Sequence, residues 1–314
     1  MSAIVVGSIN MDLVMPVEKF PAPGETISAS KLQQFHGGKG ANQSVAISRM
    51  GKNVSLIGCI GDDEYGMLLL EGLRINDVAV DGIQKIEGVS TGLAFITIDP
   101  TGQNVIVIVP GANNRLQPPA VDETFKRSPE DITHFLTQFE IPLETVLHSI
   151  NKAKARGWTT VVNPAPAKPR DEVEPILAAS DVLVLNESEA EILTGRLPTT
   201  IETAFEVGDS LRAMGPGTVV ITLGEAGSVL IGDQQRERIP ALAVEVVDTT
   251  AAGDAFIGAL IVARMEGKPW DECVEFANAA GAYAVTQPGA QPSLPTRDQI
   301  IQLQEASGVK HNRK

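Results

Sequence analysis

DVLVLNESEAEILTGRLPTTIETAFEVGDSLRAMGPGTVVITLGE, residues 181–225, holds the pattern on which the fold turns. Its opening DVLVLNES (181–188) is a short apolar run that ends in polar residues, as a buried strand does. ETAFEVGDSLRAMG (202–215) then spaces its apolar residues three to four apart and closes on Gly, which predicts an amphipathic helix. TVVITLGE (218–225) is a second buried strand. Strand, helix and strand in this order form a βαβ unit, with parallel strands in a sheet covered on both faces.

The alternation continues on the N-terminal side. SAIVVGSIN (2–10), VSLIGCIG (54–61), ITHFLTQF (132–139) and WTTVVNPA (158–165) read as further strands. ANQSVAISRMG (41–51), EYGMLLLEGLRIN (64–76) and PLETVLHSINKAKARG (142–157) read as helices, with Pro142 just inside one start and Gly157 just past its end. The expected architecture is α/β, a mainly parallel central sheet with helices on both faces, in a single domain over 1–314. Two stretches break the rhythm. LVMPVEKFPAPGETISASKLQQF (13–35) has no helical period, and its ETISASKLQQF portion alternates like a strand. TGLAFITIDPTGQNVIVIVPG (91–111) reads as a hairpin turning at DPTGQN. Together they predict a small inserted β-sheet, placed as a lid over the C-terminal ends of the parallel strands.

Composition narrows the partners. The 314 residues carry 25 basic against 39 acidic side chains, a formal charge of −14, which argues against nucleic acid and anionic membrane. The basic tail, with Lys310, His311, Arg313 and Lys314, reads as a solvated terminus. No apolar run reaches the roughly 18 residues of a membrane span. The start MSAIVVGSIN has neither a basic n-region nor a cleavage site. Aromatic residues are 4% of the chain, which disfavours a site built by stacking bases between rings. Cys59 and Cys273 sit in apolar contexts and are expected as buried free thiols in a cytoplasmic protein.

Four segments carry chemistry. In Val247-Asp248-Thr249-Thr250-Ala251-Ala252-Gly253-Asp254-Ala255-Phe256, small residues open a helix, and a first helical turn leaves its N–H groups free at the positive end of the dipole. With Ala251, Ala252 and Gly253 there, the turn suits an anion, and Asp254 suits a base for phosphoryl transfer to an alcohol. An ordinary acidic helix start explains the same letters. Phe35-His36-Gly37-Gly38-Lys39-Gly40-Ala41-Asn42-Gln43 is no P-loop, since neither G-x-x-x-x-G-K-[ST] nor G-x-G-x-x-G occurs. Its glycines permit close backbone approach to a small polar ligand, Lys39 offers a cation and Asn42 an amide; a plain helix-entry turn is the alternative. Asn10 and Asp12 follow the first strand and Glu140 follows ITHFLTQF, at strand ends where open α/β sheets bind ligands. Asn186-Glu187-Ser188-Glu189 puts carboxylates suited to Mg²⁺ at another strand end. His36, His134 and His148 lack metal-ligand spacing, which argues against zinc. GVSTG (88–92) is followed by the strand-like LAFITI, where a nucleophile elbow, with a strand before it, needs a helix after it.

GSINMDLV, FPAPGET, GGKGANQ, VNPAPA, NESEAEILTG, ITLGEAG, DTTAAGDAF and GAQPS, in this order along nearly the whole chain, resemble the ribokinase branch of the PfkB-type carbohydrate kinases. That resemblance implies transfer of the ATP γ-phosphoryl to the 5-hydroxyl of D-ribose. It assigns Asp254 as base, with Ala251, Ala252, Gly253 and Asp254 as backbone anion hole. Asn10, Asp12, Gly38, Lys39, Asn42 and Glu140 would form the sugar site. Asn186, Gly253, Asn278 and the Thr222-Leu223-Gly224-Glu225-Ala226-Gly227 loop would hold ATP. Glu189 would serve Mg²⁺. Asp248, Thr250, Ala284, Gln287, Gly289 and Ser293 would hold an activating monovalent cation, usually K⁺. Dimers packed through the lid sheets are common in the family. The chain departs from some relatives at Asn278, where they have His, and at Gln287, where they have a basic residue. His36 stands where a small or apolar residue precedes the GGKGAN motif.

Overall fold

The computed structural model describes residues 1–308; the basic C-terminal tail lies outside them. The first strand, β1 (Ser2–Val6), is entirely buried and pairs in parallel with β4 (Asn53–Gly61) on one side and β8 (Ile132–Thr137) on the other. Beyond β4 lies β5 (Ala79–Ile86), also parallel. Beyond β8 come β9 (Thr159–Val162), β10 (Val182–Asn186) and β11 (Thr218–Thr222) in parallel, then β12 (Ser228–Ile231) and β13 (Arg236–Ile239) antiparallel. The nine strands run in the order β13-β12-β11-β10-β9-β8-β1-β4-β5.

Alternate side chains of the same strands enter two separate cores, one on each face. On one face Val5, Leu56, Leu136, Val184 and Val220 pack against α1 (Lys39–Arg49), α8 (Ala252–Met265) and α9 (Trp270–Ala284). On the other, Val6, Ile57, Phe135, Leu185 and Ile221 meet α3 (Pro118–Arg127), α4 (Leu143–Lys154), α5 (Arg170–Ala179), α6 (Glu187–Thr194) and α7 (Ile201–Arg212). α2 (Glu64–Ile75) and α10 (Arg297–Ala306) lie on the first face, through Leu69, Leu73 and Ile300. This is the α/β architecture expected.

The stretch read as one strand over 2–10 is two. After Val6 the chain leaves the large sheet, and β2 (Asn10–Pro16) begins a second sheet of order β3-β2-β6-β7. The break has a local cause. Ile9 is held by side-chain hydrogen bonds, its N–H donating to Asn113 Oδ1 at 2.9 Å and its carbonyl accepting from Asn113 Nδ2 at 3.2 Å. The hairpin is present as β6 (Gly92–Ile98) and β7 (Asn104–Val109), antiparallel around Asp99, which accepts from the Thr101 and Gln103 amides. The expected strand in ETISASKLQQF is shorter and later: only β3 (Gln33–Gly37) pairs with β2, while residues 17–32 form no regular element. Pro142 is the cap residue before α4 rather than its first residue.

α1 and α8 pack so closely that a Cβ at Gly258 would lie 2.5 Å from the Ala46 methyl. Gly258→Ala should destabilise the fold by about 1–3 kcal/mol from overpacking, despite a helix-propensity gain of about 1 kcal/mol. Urea unfolding checks this, and wild-type stability would show that the two helices part without cost.

Candidate active site

The contact between Gly258 and Ala46 sets up the site one helical turn away, because residues four apart share a helix face. There Asn42 Nδ2 donates to Asp254 Oδ2, and Gln43 Nε2 to Asp254 Oδ1, each at 2.9 Å. Asp254 is only 6% exposed. Burial raises its pKa above the ordinary carboxylate value, while the Lys39 ammonium and the two amides pull it back down. The carboxyl is therefore fully hydrogen-bonded and more basic than a surface Asp.

α8 begins just beside it. Ala251 takes the left-handed conformation, φ 59°, which turns the chain from Thr250 into the helix. The Ala252 amide is spent on Thr249 O at 3.3 Å. The Gly253 and Asp254 amides find no acceptor among the described residues, and a Cβ at Gly253 would meet open space. A cavity of about 200 Å³ opens over this turn, walled by Lys39, Asn163, Asn186, Glu189, Thr222, Ala251, Gly253 and Asp254. Free amides at a helix N-terminus beside a lysine make an anion-binding hollow.

On the other side of Lys39 lies a polar nest. Glu140 accepts from the Ser8 hydroxyl and from the Lys39 amide at 3.2 Å. Asn10 is buried, its Oδ1 accepting from Asn113 Nδ2 at 2.7 Å. Asn42 Oδ1 is buried and has no partner. Asp12 stands at the inner end of a second cavity, about 1000 Å³, under the small sheet; Asp248, Thr250 and Gly289 line its opposite wall. Burial, with Glu140 and Asp254 nearby, raises the Asp12 pKa to about 7 against the pull of Lys39. Burial alone would lower the Lys39 ammonium, but Asp254, Glu140, Glu189 and Asp12 together hold it above its usual value.

The glycines of GGKG do something other than the sequence reading supposed. A Cβ at Gly40 would lie 2.6 Å from the Gly7 carbonyl carbon and the Ser8 nitrogen, and one at Gly38 2.7 Å from the Asn10 nitrogen. The space over Gly37 is filled by the Asp12 carboxylate. Their smallness admits the protein's own β1–β2 crossover and the Asp12 carboxylate.

The remaining candidates are spread wider. Asn186 and Glu189 cap α6 reciprocally, Glu189 N donating to Asn186 Oδ1 at 2.9 Å and Asn186 N to Glu189 Oε2 at 3.0 Å. Glu189 also faces the small cavity, and burial raises its pKa. No cluster of three metal-ligating side chains occurs among the described residues. One carboxylate beside an anion hollow nonetheless fits Mg²⁺, which is commonly held by one or two carboxylates, water and substrate phosphates. Asp248 joins two loops: Oδ1 accepts from Thr250 N and Oγ1 at 2.9 and 2.6 Å, and Oδ2 from Gly289 N at 2.8 Å. Gly289, in the segment that also carries Ala284, Gln287 and Ser293, is thereby tied to the Thr250 turn. Gly224, Glu225 and Ala226 form a 3₁₀ turn after β11, closed by Gly227, and only Thr222 of that loop reaches the small cavity. Asn278 is buried away from both cavities, donating to Ile239 O and Pro240 O and accepting from Ser228 Oγ. Asn113, Ser8, Asn163 and Gln138 were not singled out from the sequence; their partners lie 20 to 130 residues away, beyond the reach of any local pattern.

A family model described as pfkB family carbohydrate kinase matches residues 2–297. The chain is 37% identical over 301 residues to a ribokinase of Haemophilus influenzae, covering 96% of this chain and 97% of that one. It is 33% identical over 303 residues to a deoxyribokinase of Salmonella typhi, covering 96% and 97%. A solved structure of an Arabidopsis thaliana ribokinase, complexed with ribose and ATP, matches with a TM-score of 0.86 at 32% identity, covering 96% of this chain and 98% of that one.

The Asp12 carboxyl gives a pH signature. Its pKa is raised on folding, so the folded state holds the proton more tightly than the unfolded chain, and Asp12 costs stability increasingly as pH rises from about 4 to 7. Asp12→Asn should therefore unfold at a higher temperature than wild type at pH 8, with the difference fading by pH 5. Thermal unfolding at the two pH values checks the sign.

Proposed function

The chain belongs to the pfkB family of carbohydrate kinases, with a ribokinase-like α/β fold, and we propose that it transfers the γ-phosphoryl group of ATP to the 5-hydroxyl of D-ribose. The observation that carries this reading is the buried Asp254 carboxylate directly beside the free amides of the first turn of α8. Asp254 takes the proton of the attacking hydroxyl, for which its raised pKa suits it. The free Gly253 and Asp254 amides face the charge that develops on the transferring phosphoryl, and Lys39 adds positive charge beside them. Glu189 would hold Mg²⁺, which would supply positive charge beside the nucleotide phosphates.

The sugar site in this reading is the polar nest of Asn10, Asp12, Gly38, Lys39, Asn42 and Glu140. Its support is the unpartnered Asn42 Oδ1, a buried acceptor that calls for a donor such as a sugar hydroxyl. ATP would lie along Asn186, the Thr222–Gly227 loop and Gly253, with Asn278 behind the adenine end. The amides and carboxylates of that nest favour a polyol over a nucleoside base, because a site built to bond hydroxyls rejects analogues that lack them. The 1000 Å³ cavity above exceeds the needs of a pentose, and the small sheet, acting as a lid on a single kinase domain, would close over it. K⁺ in the shell of Asp248, Thr250, Ala284, Gln287, Gly289 and Ser293 belongs to the same reading, supported by the Asp248 junction between those loops. A reducing, cytoplasmic setting fits the two free, buried cysteines. No helix of the described residues is long and apolar enough to cross a membrane.

A homodimer through the lid is the associated assembly. All six residues of β7 are exposed, five of them Val or Ile, on the unpaired edge of the small sheet. Such an edge invites pairing with another strand.

A coupled ADP-release assay with D-ribose, 2-deoxyribose, fructose and adenosine tests the substrate. Ribose should give the highest kcat/KM, and K⁺ should outperform Na⁺ in the same assay; a preference for adenosine would overturn the reading. Asp254→Asn should lower kcat by about 10²–10⁴ while ATP still binds. For the assembly, Val107→Lys on the β7 edge should shift a dimer to monomer in analytical ultracentrifugation, whereas an unchanged dimer would place the interface elsewhere.

A further inference from the structure

Beneath the Asp254 carboxylate lies a set of buried amides that the proposed chemistry does not use. Gln43 Nε2, besides its bond to Asp254 Oδ1, reaches Asn163 Oδ1 at 3.3 Å. Gln43 Oε1 accepts from Gln138 Nε2 at 2.6 Å, and Asn163 Nδ2 donates to Val184 O at 3.1 Å. Gln43 and Gln138 are wholly buried and Asn163 is 6% exposed. The three come from different parts of the fold: α1, the residue after β8, and the residue after β9. Gln138 Oε1 is itself left without a partner, against Gly7, where any side chain would collide with it. A buried amide oxygen left unpaired is a cost the fold bears while the other end of that amide holds Gln43.

The direction of the set is determined by its ends. A carboxylate only accepts, so the amide facing it must present N–H; a reversed Gln43 would set its oxygen against Asp254 and its N–H against the Gln138 amine. The terminal torsion of an Asp side chain is soft, so the plane of the carboxylate is decided by what bonds its oxygens. Asn42 holds one oxygen but faces the proposed sugar site with its own free Oδ1. Gln43 holds the other oxygen and has both ends committed within the protein.

We propose that Gln43, clamped by Gln138 and Asn163, is a positioning residue for phosphoryl transfer, fixing the plane of the Asp254 carboxylate so that the oxygen it does not hold is presented to the acceptor hydroxyl. The proposal rests on the reading of Asp254 as the base. It assigns Gln43 no contact with either substrate, so its loss acts on turnover rather than on ribose binding.

The test is a double-mutant cycle on the full chain. Gln43→Met, similar in volume, should lower kcat by about 10–100-fold, the size of effect a small misplacement of a reacting group produces, with KM for ribose within about threefold. Made in the Asp254→Asn background, it should change the residual kcat by less than about twofold, because no carboxylate remains to be oriented. Equal losses in both backgrounds would mean a purely structural role and overturn the proposal, as would an unchanged kcat in the single variant. If Gln43→Met does not fold, Gln138→Met leaves Gln43 in place without its anchor. It should lower kcat by roughly 3–10-fold with the same dependence on Asp254, and an unchanged or background-independent kcat overturns the proposal equally. Near-normal turnover of Asp254→Asn alone would instead fail the base reading, and it is seen before any Gln43 variant is compared.

Discussion

Asp254 is a carboxylate taken almost entirely out of water, and most of the site is organised around making that tolerable. An isolated buried carboxylate would simply take up a proton. Here two amides from consecutive residues of α1 bond its two oxygens, and the Lys39 ammonium lies in reach of its field. Those partners arrive only because α1 and α8 touch backbone-close at Gly258 and Ala46. α1 in turn can start where it does only because Gly40 lets it lie against the β1–β2 crossover. The buried carboxylate, its two amide donors and the neighbouring lysine thus depend on one tight helix contact and one glycine contact. Loosening either would leave the charge buried without its partners.

The electrostatics are local. A net charge of −14 describes the surface and bears on solubility and partners, but the site gathers Asp12, Glu140, Asp254 and Glu189 around a single lysine. Burial above all, with Glu140 and Asp254 nearby, raises the Asp12 pKa to about 7. In the proposed reading a phosphate would meet the free amides of α8 and the Lys39 ammonium rather than the field of the whole molecule.

The small sheet is built into the large one rather than appended to it. β1 and β2 are consecutive, and the Asn113 side chain holds the joint between them while also fixing Asn10 at the edge of the polar nest. Movement of the small sheet is therefore coupled to residues proposed to touch the sugar. Of the elements the sequence reading did not foresee, α3, α6, α9 and α10 carry ordinary helix signals, while others have weak patterns. β5 is a mostly half-exposed edge strand, β12 and β13 are four residues each, and α5 carries Pro175 within it. The antiparallel edge of the large sheet, and the division of residues 2–16 between two sheets, had no local signature for the same reason.

Periodicity alone determined the α/β class, the run of parallel strands and the hairpin at 91–111, because burying one face or both leaves a two- or 3.6-residue imprint in the chain. Small residues before Asp254 and the amide and carboxylate letters at strand ends pointed to the proposed site, because the chemistry of a helix start and of a strand end is written within a few residues. What those letters do was decided only in three dimensions. Gly37, Gly38 and Gly40 read as room for a ligand and serve as room for the protein's own backbone and for Asp12. Asn278 read as a nucleotide contact, and its amide is bonded to Ile239, Pro240 and Ser228. Gln138 and Asn113 carried no signal, and Gln43 and Asn163 appeared only as letters of GGKGANQ and VNPAPA, because hydrogen bonds between residues distant in the chain leave no period and no motif. Only the packing of α1 against α8 and the ends of β8 and β9 brings them together.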